Sequence, residues 1–354
     1  MANIKSLTRK EVLTQNAYSA EEIPCKIKLD ANENPFNLPG PLKNELFKRM
    51  KRALLNRYPE AGAMKLRERF SEHFGVKKDM IMLGNGSDEL IQILCHTLAL
   101  PNASVLIPVP TFGMYKICSL NSGYEVIEVP TDKFFDLDIK PMLYLTKEKS
   151  PSLIFLSYPN NPTSNCFSQE KIEMLLECSK GLVVIDEAYY NFSKKTFLPL
   201  LKKYNNLVIL RTLSKVGLAA MRIGFLIGPA SLIHELDKVR LPYNLNMLSQ
   251  IAAGFYLDYE QEFLAQMNDI IDGREALLSA LKKIKGVKPY PADANFIFFS
   301  CDIDPDRIYR KLLEQGILVK RFSLAGGLGD FLRVTVGRPD ENEEFLKSFR
   351  KVIK

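Results

Sequence analysis

What most limits the fold of this chain is a series of apolar segments four or five residues long, each too short to be a buried helix and most followed by a helical pattern. The segments are Ser104-Val-Leu-Ile107, Ser152-Leu-Ile-Phe-Leu156, Leu182-Val-Val-Ile185, Leu207-Val-Ile-Leu210 and Ile223-Gly-Phe-Leu-Ile227, with one more strand expected near 124–129. Helical spacing fills 87–99 and 111–121, and another helix starts near Ser168, where Ser168-Gln-Glu-Lys-Ile reads as a capped end. Earlier helices are expected over 41–55 and 62–74, split by the turn Tyr58-Pro-Glu-Ala-Gly62. Short apolar strands alternating with helices predict an α/β fold whose mainly parallel sheet is covered on both faces. Past about residue 243 the rhythm changes. A long helical pattern over 246–285 precedes strand candidates at Asn295-Phe-Ile-Phe-Phe299, Ile317-Leu-Val319 and Phe331-Leu-Arg-Val-Thr335, then a final amphipathic helix. A smaller α+β unit is expected there, with Pro242 as the hinge. The 354 residues suffice for two such units.

The composition closes off several classes. The net charge of +7 is modest and dispersed, and Lys48-Arg49-Met50-Lys51-Arg52 reads as a solvated helix face rather than a nucleic-acid contact. A mildly positive surface favours anionic substrates. Six scattered cysteines without a C-x-x-C pair, and three histidines, show no metal-ligand spacing. No apolar h-region stands at the N-terminus, and no apolar run approaches the ~20 residues of a membrane span. A cytoplasmic protein is expected, with no metal and with neither nucleic acid nor membrane as partner.

Ligands of open α/β sheets bind beyond the carboxyl ends of the strands. Asn161 follows the strand at 152–156, Asp186 ends the one at 182–185, and Lys215 lies just past 207–210. Three strands thus send polar groups to one crevice. Alone, each group is unremarkable: a surface lysine, a capping carboxylate, an ordinary Asn-Asn-Pro turn. Together they match the needs of pyridoxal phosphate. Lys215 would meet the cofactor aldehyde, Asp186 would hold the proton on its ring nitrogen, and Asn161 and Tyr189 would donate to its ring oxygen. Thr212, Ser214 and Arg222, from Arg211-Thr-Leu-Ser-Lys-Val-Gly-Leu-Ala-Ala-Met-Arg-Ile-Gly224, would hold its phosphate. Gly86, Ser87 and Asp88, in Gly84-Asn-Gly-Ser-Asp-Glu89, would add a helix N-terminus. That glycine segment lacks the Gly-Lys-Ser/Thr ending of a nucleotide P-loop, so an NTPase is rejected. Phe112 would cover the ring.

On these motifs the chain resembles the fold type I aminotransferases, and among them the histidinol-phosphate aminotransferase family. The likeness also rests on Lys28-Leu-Asp-Ala-Asn-Glu-Asn-Pro35, Asn56-Arg-Tyr-Pro-Glu60, Pro110-Thr-Phe-Gly-Met-Tyr115 and Leu332-Arg-Val-Thr-Val-Gly337. It implies a seven-stranded large domain over 39–245, a small domain over 246–354, and an N-terminal segment, 1–38, joining the small domain. It implies a homodimer in which Tyr58 reaches the other subunit's cofactor phosphate. Arg333 would bind a substrate carboxylate or phosphate, Tyr18 and Asn32 would face substrate, and Lys320 or Arg321 would meet the substrate phosphate. The implied reaction is ping-pong transamination between L-histidinol phosphate with 2-oxoglutarate and imidazole-acetol phosphate with L-glutamate. Aminotransferases of aromatic amino acids or phosphorylated ketones, and decarboxylases of phosphorylated amino acids, use the same machinery. A regulator on this fold would need a DNA-binding domain as well. Three positions depart from the family pattern: Phe112 for the common tyrosine, and Ser164 and Ala220 for the usual glycines.

Overall fold

In the computed structural model, residues 3–15, 23–324 and 329–353 are described; the expected substrate-facing Tyr18 lies outside them. The large sheet has seven strands in the order Ile81–Asn85, Ile223–Ile227, Leu207–Thr212, Leu182–Asp186, Leu153–Ser157, Ser104–Val109, Glu125–Pro130. Only Ile223–Ile227 runs against its neighbours. It can do so because the chain returns from Leu207–Thr212 through a compact turn instead of a crossover helix. Five strands were legible as apolar runs, and the edge strand Glu125–Pro130 was expected near 124–129. The seventh, Ile81–Asn85, was not anticipated; it ends inside the glycine segment that starts at Gly84.

Alternate residues of the central strands feed two cores. Val183 and Ile185 pack on one face with Phe70, Phe225 and Phe255, while Val184 packs on the other with Leu90, Tyr115 and Phe155. The single helical pattern expected over 246–285 is two helices, Met247–Asp258 and Glu260–Lys282, broken at Tyr259. Asn246 caps the first by accepting from the Ser249 N–H at 2.9 Å. That helix packs on Gly40–Met50 and Met64–Phe74, whereas the second reaches the closing helix Pro339–Ile353.

The smaller unit carries an antiparallel sheet in the order Lys320–Leu324, Gly329–Thr335, Phe296–Cys301, Val287–Pro289. Its outer face buries Phe299, Leu332 and Val334 against helices of the same unit. Its other face turns Phe298 and Phe331 towards Phe135 of the large unit. Ile27–Lys28 pairs in parallel with Ile317–Leu318, so the N-terminal segment joins the C-terminal unit. No helix among the described residues is long and apolar enough to cross a membrane.

Candidate active site

The turn between Leu207–Thr212 and Ile223–Ile227 is tied at its neck. Thr212 Oγ1 donates to the Ile223 carbonyl at 2.9 Å, and the Leu213 N–H reaches the same oxygen at 3.0 Å. Gly217, at φ 111°, lets the chain turn sharply after Lys215. Lys215 as a residue is half-buried, and its amine end is the enclosed part, 5.8 Å from the centre of the Tyr189 ring. Burial, reinforced by the Arg333 charge and opposed by Glu33 and Asp88, brings its pKa down to about 8 from 10.5. The neutral, nucleophilic amine therefore gains population from about pH 8 upward. Acylation of Lys215 by an amine-directed reagent, followed by mass spectrometry at varied pH, is expected to rise with a midpoint near 8.

Beside the lysine is a cradle of donors. Arg222 Nη1 donates to Ser214 Oγ at 3.2 Å, and Nη2 to Asp88 Oδ2 at 3.0 Å. Both partners of that ion pair are well exposed, so it orients the guanidinium more than it stabilises the fold. Ser87 and Asp88 open the helix Ser87–Thr97, whose N-terminus has no side-chain cap. Gly86 precedes it at φ 82°, and a Cβ there would come within 2.6 Å of Arg222 Nη2. Gly224 brings its strand so close that a Cβ would sit 2.4 Å from the Gly86 backbone. The floor of the cradle is thus kept free of side chains.

Asp186 is only 3% exposed. Its Oδ2 accepts from the Tyr115 hydroxyl at 2.8 Å, and its Oδ1 from the Ala188 N–H at 3.0 Å. Burial raises its pKa to about 6, against those two hydrogen bonds. The next residue, Glu187, points to the opposite face and pairs with Arg211 at 2.8 Å. Among the described residues no cation pairs with Asp186, so it is the carboxylate that lacks a counter-ion.

Asn161 Oδ1 accepts from Arg333, which also donates to the Asp30 carbonyl. With its oxygen so engaged, the Asn161 amide turns its N–H groups elsewhere. Asn32 donates to Tyr189 Oη at 2.9 Å, leaving the phenol proton for another acceptor. Burial pushes the Tyr189 pKa up to about 12, which keeps that proton in place. Phe112 stands edge-on to Tyr115, their centres 5.5 Å apart. The Arg333 guanidinium lies 5.1 Å from the Phe296 ring and 5.3 Å from that of Phe322.

Lys320 is directly opposite Arg333 in the sheet register, and so shares its face. Arg321 lies on the other face, paired with Asp306. Tyr58 is 78% exposed and stacks on Tyr243 at 4.5 Å. Of the departures, Ala220 lies in a 3₁₀ turn and is not at positive φ, so it needs no glycine freedom. Ser164 does occupy φ 71°, and its hydroxyl donates to the Phe296 carbonyl at 2.7 Å, tying the Asn161 turn to the small sheet.

Two contributors escaped the motif reading. Asn160, fully buried, donates to the Pro110 carbonyl at 2.9 Å and accepts from the Thr111 hydroxyl at 2.8 Å. It fastens the loop bearing Phe112 to the turn bearing Asn161. Its place beside Asn161 was the available signal. Tyr115 is the second, and nothing in its spacing indicates that its hydroxyl meets a carboxylate.

An enclosed amine, an unpaired buried carboxylate and an open-floored cradle with an arginine suit an anionic, cationic-ringed aldehyde, and pyridoxal phosphate has that chemistry. Comparison with known proteins agrees. A histidinol-phosphate aminotransferase 2 of Nitrosococcus oceani is 42% identical over 345 residues, 97% of this chain and 96% of that protein. A histidinol-phosphate aminotransferase of Aquifex aeolicus is 40% identical over 340 residues, 96% of each. The crystal structure of the Sinorhizobium meliloti histidinol-phosphate aminotransferase in complex with pyridoxal-5'-phosphate superposes with a TM-score of 0.89, covering 98% of both chains at 20% identity, which shows a common fold. An L-threonine-O-3-phosphate decarboxylase of Porphyromonas gingivalis shares that fold too, with a TM-score of 0.80, 21% identity and coverage of 92% of this chain and 98% of its own. The aminotransferase class I and II profile matches residues 24–349, and with whole-length relatives of that kind the chain belongs to the class I and II aminotransferase family.

Proposed function

We propose that the chain is a pyridoxal-phosphate-dependent aminotransferase that interconverts L-histidinol phosphate with 2-oxoglutarate and imidazole-acetol phosphate with L-glutamate, a step of histidine biosynthesis. The observation that carries the chemistry is the Lys215 amine enclosed against the Tyr189 ring, just past the strand that pairs with the buried, counter-ion-free Asp186. Full-length likeness to histidinol-phosphate aminotransferases supports the substrate pair.

Bound in the crevice, the cofactor supplies an aldehyde to carry the amino group and a ring to accept the electron pair left at the substrate α-carbon. With the cofactor bound, the Lys215 amine would be the group that takes the proton from the substrate α-carbon and later gives it back. A pKa near 8 suits an amine that must both accept and release a proton near neutrality. Asp186 holds the proton on the ring nitrogen. Asn161 and Tyr189 donate to the ring oxygen with the N–H and O–H groups that Arg333 and Asn32 leave free. Thr212, Ser214, Arg222 and the Gly86–Asp88 backbone hold the phosphate, and Phe112 covers the ring.

Arg333 binds the substrate's anionic group, a task suited to its bidentate fork. Lys320, on the same face, is the residue for the substrate phosphate, since Arg321 is turned to Asp306. Lys320→Ala is expected to raise KM for histidinol phosphate about ten-fold, while Arg321→Ala changes it less than about two-fold. Steady-state kinetics of both variants, with the reverse outcome, would move the role to Arg321. The exposed apolar cluster of Leu54, Leu55, Tyr58 and Leu241 supports a homodimer whose Tyr58 serves the partner's phosphate site.

The test of the whole reading is spectroscopic. Cofactor-loaded protein mixed with L-histidinol phosphate alone should pass from the aldehyde-form absorbance to the amine-form absorbance, and 2-oxoglutarate should reverse it. Conversion by glutamate but not by histidinol phosphate would keep the aminotransferase and discard the substrate. Release of carbon dioxide without need of an oxo-acid would replace the reading with a decarboxylase.

A further inference from the structure

The group left over once these roles are assigned is the Tyr115 hydroxyl, and this inference rests on the functional reading above. Tyr115 is completely buried in the helix Met114–Ser122. Its ring lies flat on Phe155, with centres 4.9 Å apart and planes 1° from parallel, and meets the Phe112 ring edge-on. Ser119 Oγ donates to its carbonyl at 2.7 Å. The ring therefore has little room to turn, and its hydroxyl sits 2.8 Å from Asp186 Oδ2. The phenol's pKa is driven well above its usual value, chiefly by burial and then by the Asp186 charge. It remains protonated at any working pH, so the proton in this bond belongs to the tyrosine and the carboxylate accepts.

We propose that Tyr115 is a positioning residue for transamination: its hydroxyl holds Asp186 as the anion, with one oxygen pinned, so that the shared proton rests on the cofactor's ring nitrogen. A hydrogen bond donated to a carboxylate favours its charged form. The other groups acting on Asp186 do not replace it. The Ala188 N–H serves only the second oxygen, and the charges of Asp88 and Glu187 press the carboxylate towards protonation. The Tyr189 phenol makes no hydrogen bond to Asp186: its oxygen accepts from Asn32, and its proton serves the cofactor's ring oxygen in the functional reading above. Without the Tyr115 hydroxyl, Oδ2 keeps no hydrogen-bond donor among the described residues, and the proton is drawn from the ring nitrogen to the carboxyl. The electron sink weakens accordingly. The edge contact also lets one side chain set both the angle of the ring-covering Phe112 and the charge of Asp186.

The test is Tyr115→Phe, which keeps the stacked ring and removes only the oxygen. In the cofactor-free chain labelled with carbon-13 at aspartate Cγ, the Asp186 titration midpoint should rise by about one pH unit. In the loaded enzyme, the nitrogen-15 resonance of labelled cofactor should move from the protonated-ring position towards the neutral one. kcat should fall about ten-fold with KM within about two-fold, the pattern of a group that acts in the transition state. A ring-fluorinated tyrosine at position 115, a stronger donor of the same shape, should shift the aspartate midpoint the opposite way, and it decides the matter should Tyr115→Phe fold poorly. Unmoved carbon and nitrogen resonances in a folded variant would overturn the inference, even if activity fell. A wild-type chain that takes up no pyridoxal phosphate overturns the functional reading and this inference together. Normal uptake with unmoved resonances in the variants overturns the inference alone.

Discussion

Lys215→Ala is expected to fold, to bind pyridoxal phosphate without a covalent link, and to turn over at no more than about one ten-thousandth of the wild-type rate. In the proposed reaction the deleted amine has two tasks that alanine cannot share, anchoring the aldehyde and moving the α-carbon proton, and general acid–base catalysis alone is worth about 10²–10⁴. No other lysine can substitute, because the turn that carries this one is tied at both strands by Thr212 and Leu213. Stability should barely suffer. Lys215 has a folded pKa near 8, below its ordinary 10.5, so the unfolded chain binds more protons between those values. Its burial cost is therefore complete below about pH 8 and fades as the pH rises towards 10.5. At pH 7 the loss of the packed methylenes is offset by relief of that cost, and the melting temperature of the cofactor-free variant should stay within a few degrees of wild type. Single-turnover kinetics and melting curves check the two halves separately. Near-normal turnover would end the assignment of Lys215.

The second large effect is expected at Asp186, with opposite signs for function and stability. Asp186→Asn keeps the shape and an oxygen for Tyr115 but cannot serve as a counter-ion, so kcat should fall about a thousand-fold and the cofactor should bind more weakly. The cofactor-free variant should nevertheless be more stable than wild type at pH 8. Here the folded pKa, about 6, lies above the ordinary 3.8, so between these values the folded chain binds more protons and its stability falls as the pH rises. The cost is complete above about pH 6, amounts to roughly 3 kcal/mol, and is absent near pH 4. The neighbour supplies the control. Glu187→Gln leaves Arg211 without its partner in the interior, and breaking such a pair costs about 3–5 kcal/mol. It should lower the melting temperature with and without cofactor. Calorimetry on both variants, with and without pyridoxal phosphate, separates a carboxylate held for a ligand from one held for the fold. An Asp186→Asn protein with full activity would contradict the ring-nitrogen role.

The central strands were legible because each is buried on both faces and so reads as an unbroken apolar run. Ile81–Asn85 was not, since it ends inside the glycine segment that starts at Gly84. The split of the 246–285 pattern at Tyr259 was hidden because helices on either side keep the same spacing. Within the site, Lys215, Asp186 and Asn161 could be found because each follows a recognisable strand. Asn160 and Tyr115 could not, because their importance lies in bonds to residues 50 and 71 positions away.

The amino-acid sequence by itself determined the chemical inventory at the ends of the parallel strands: an amine, two adjacent carboxylates, amides, hydroxyls and glycines. Local patterning suffices for that, because strand ends and turns are set by residues close along the chain. Only the tertiary structure decided which group meets which partner. Asp186 and Glu187 are neighbours, yet strand alternation sends one to Tyr115 and the other to Arg211. Lys320 and Arg321 are neighbours too, and the same alternation puts one beside Arg333 and the other on Asp306. Charge state and orientation depend on partners brought from distant segments and on the exclusion of water, and neither exists until the sheets have packed.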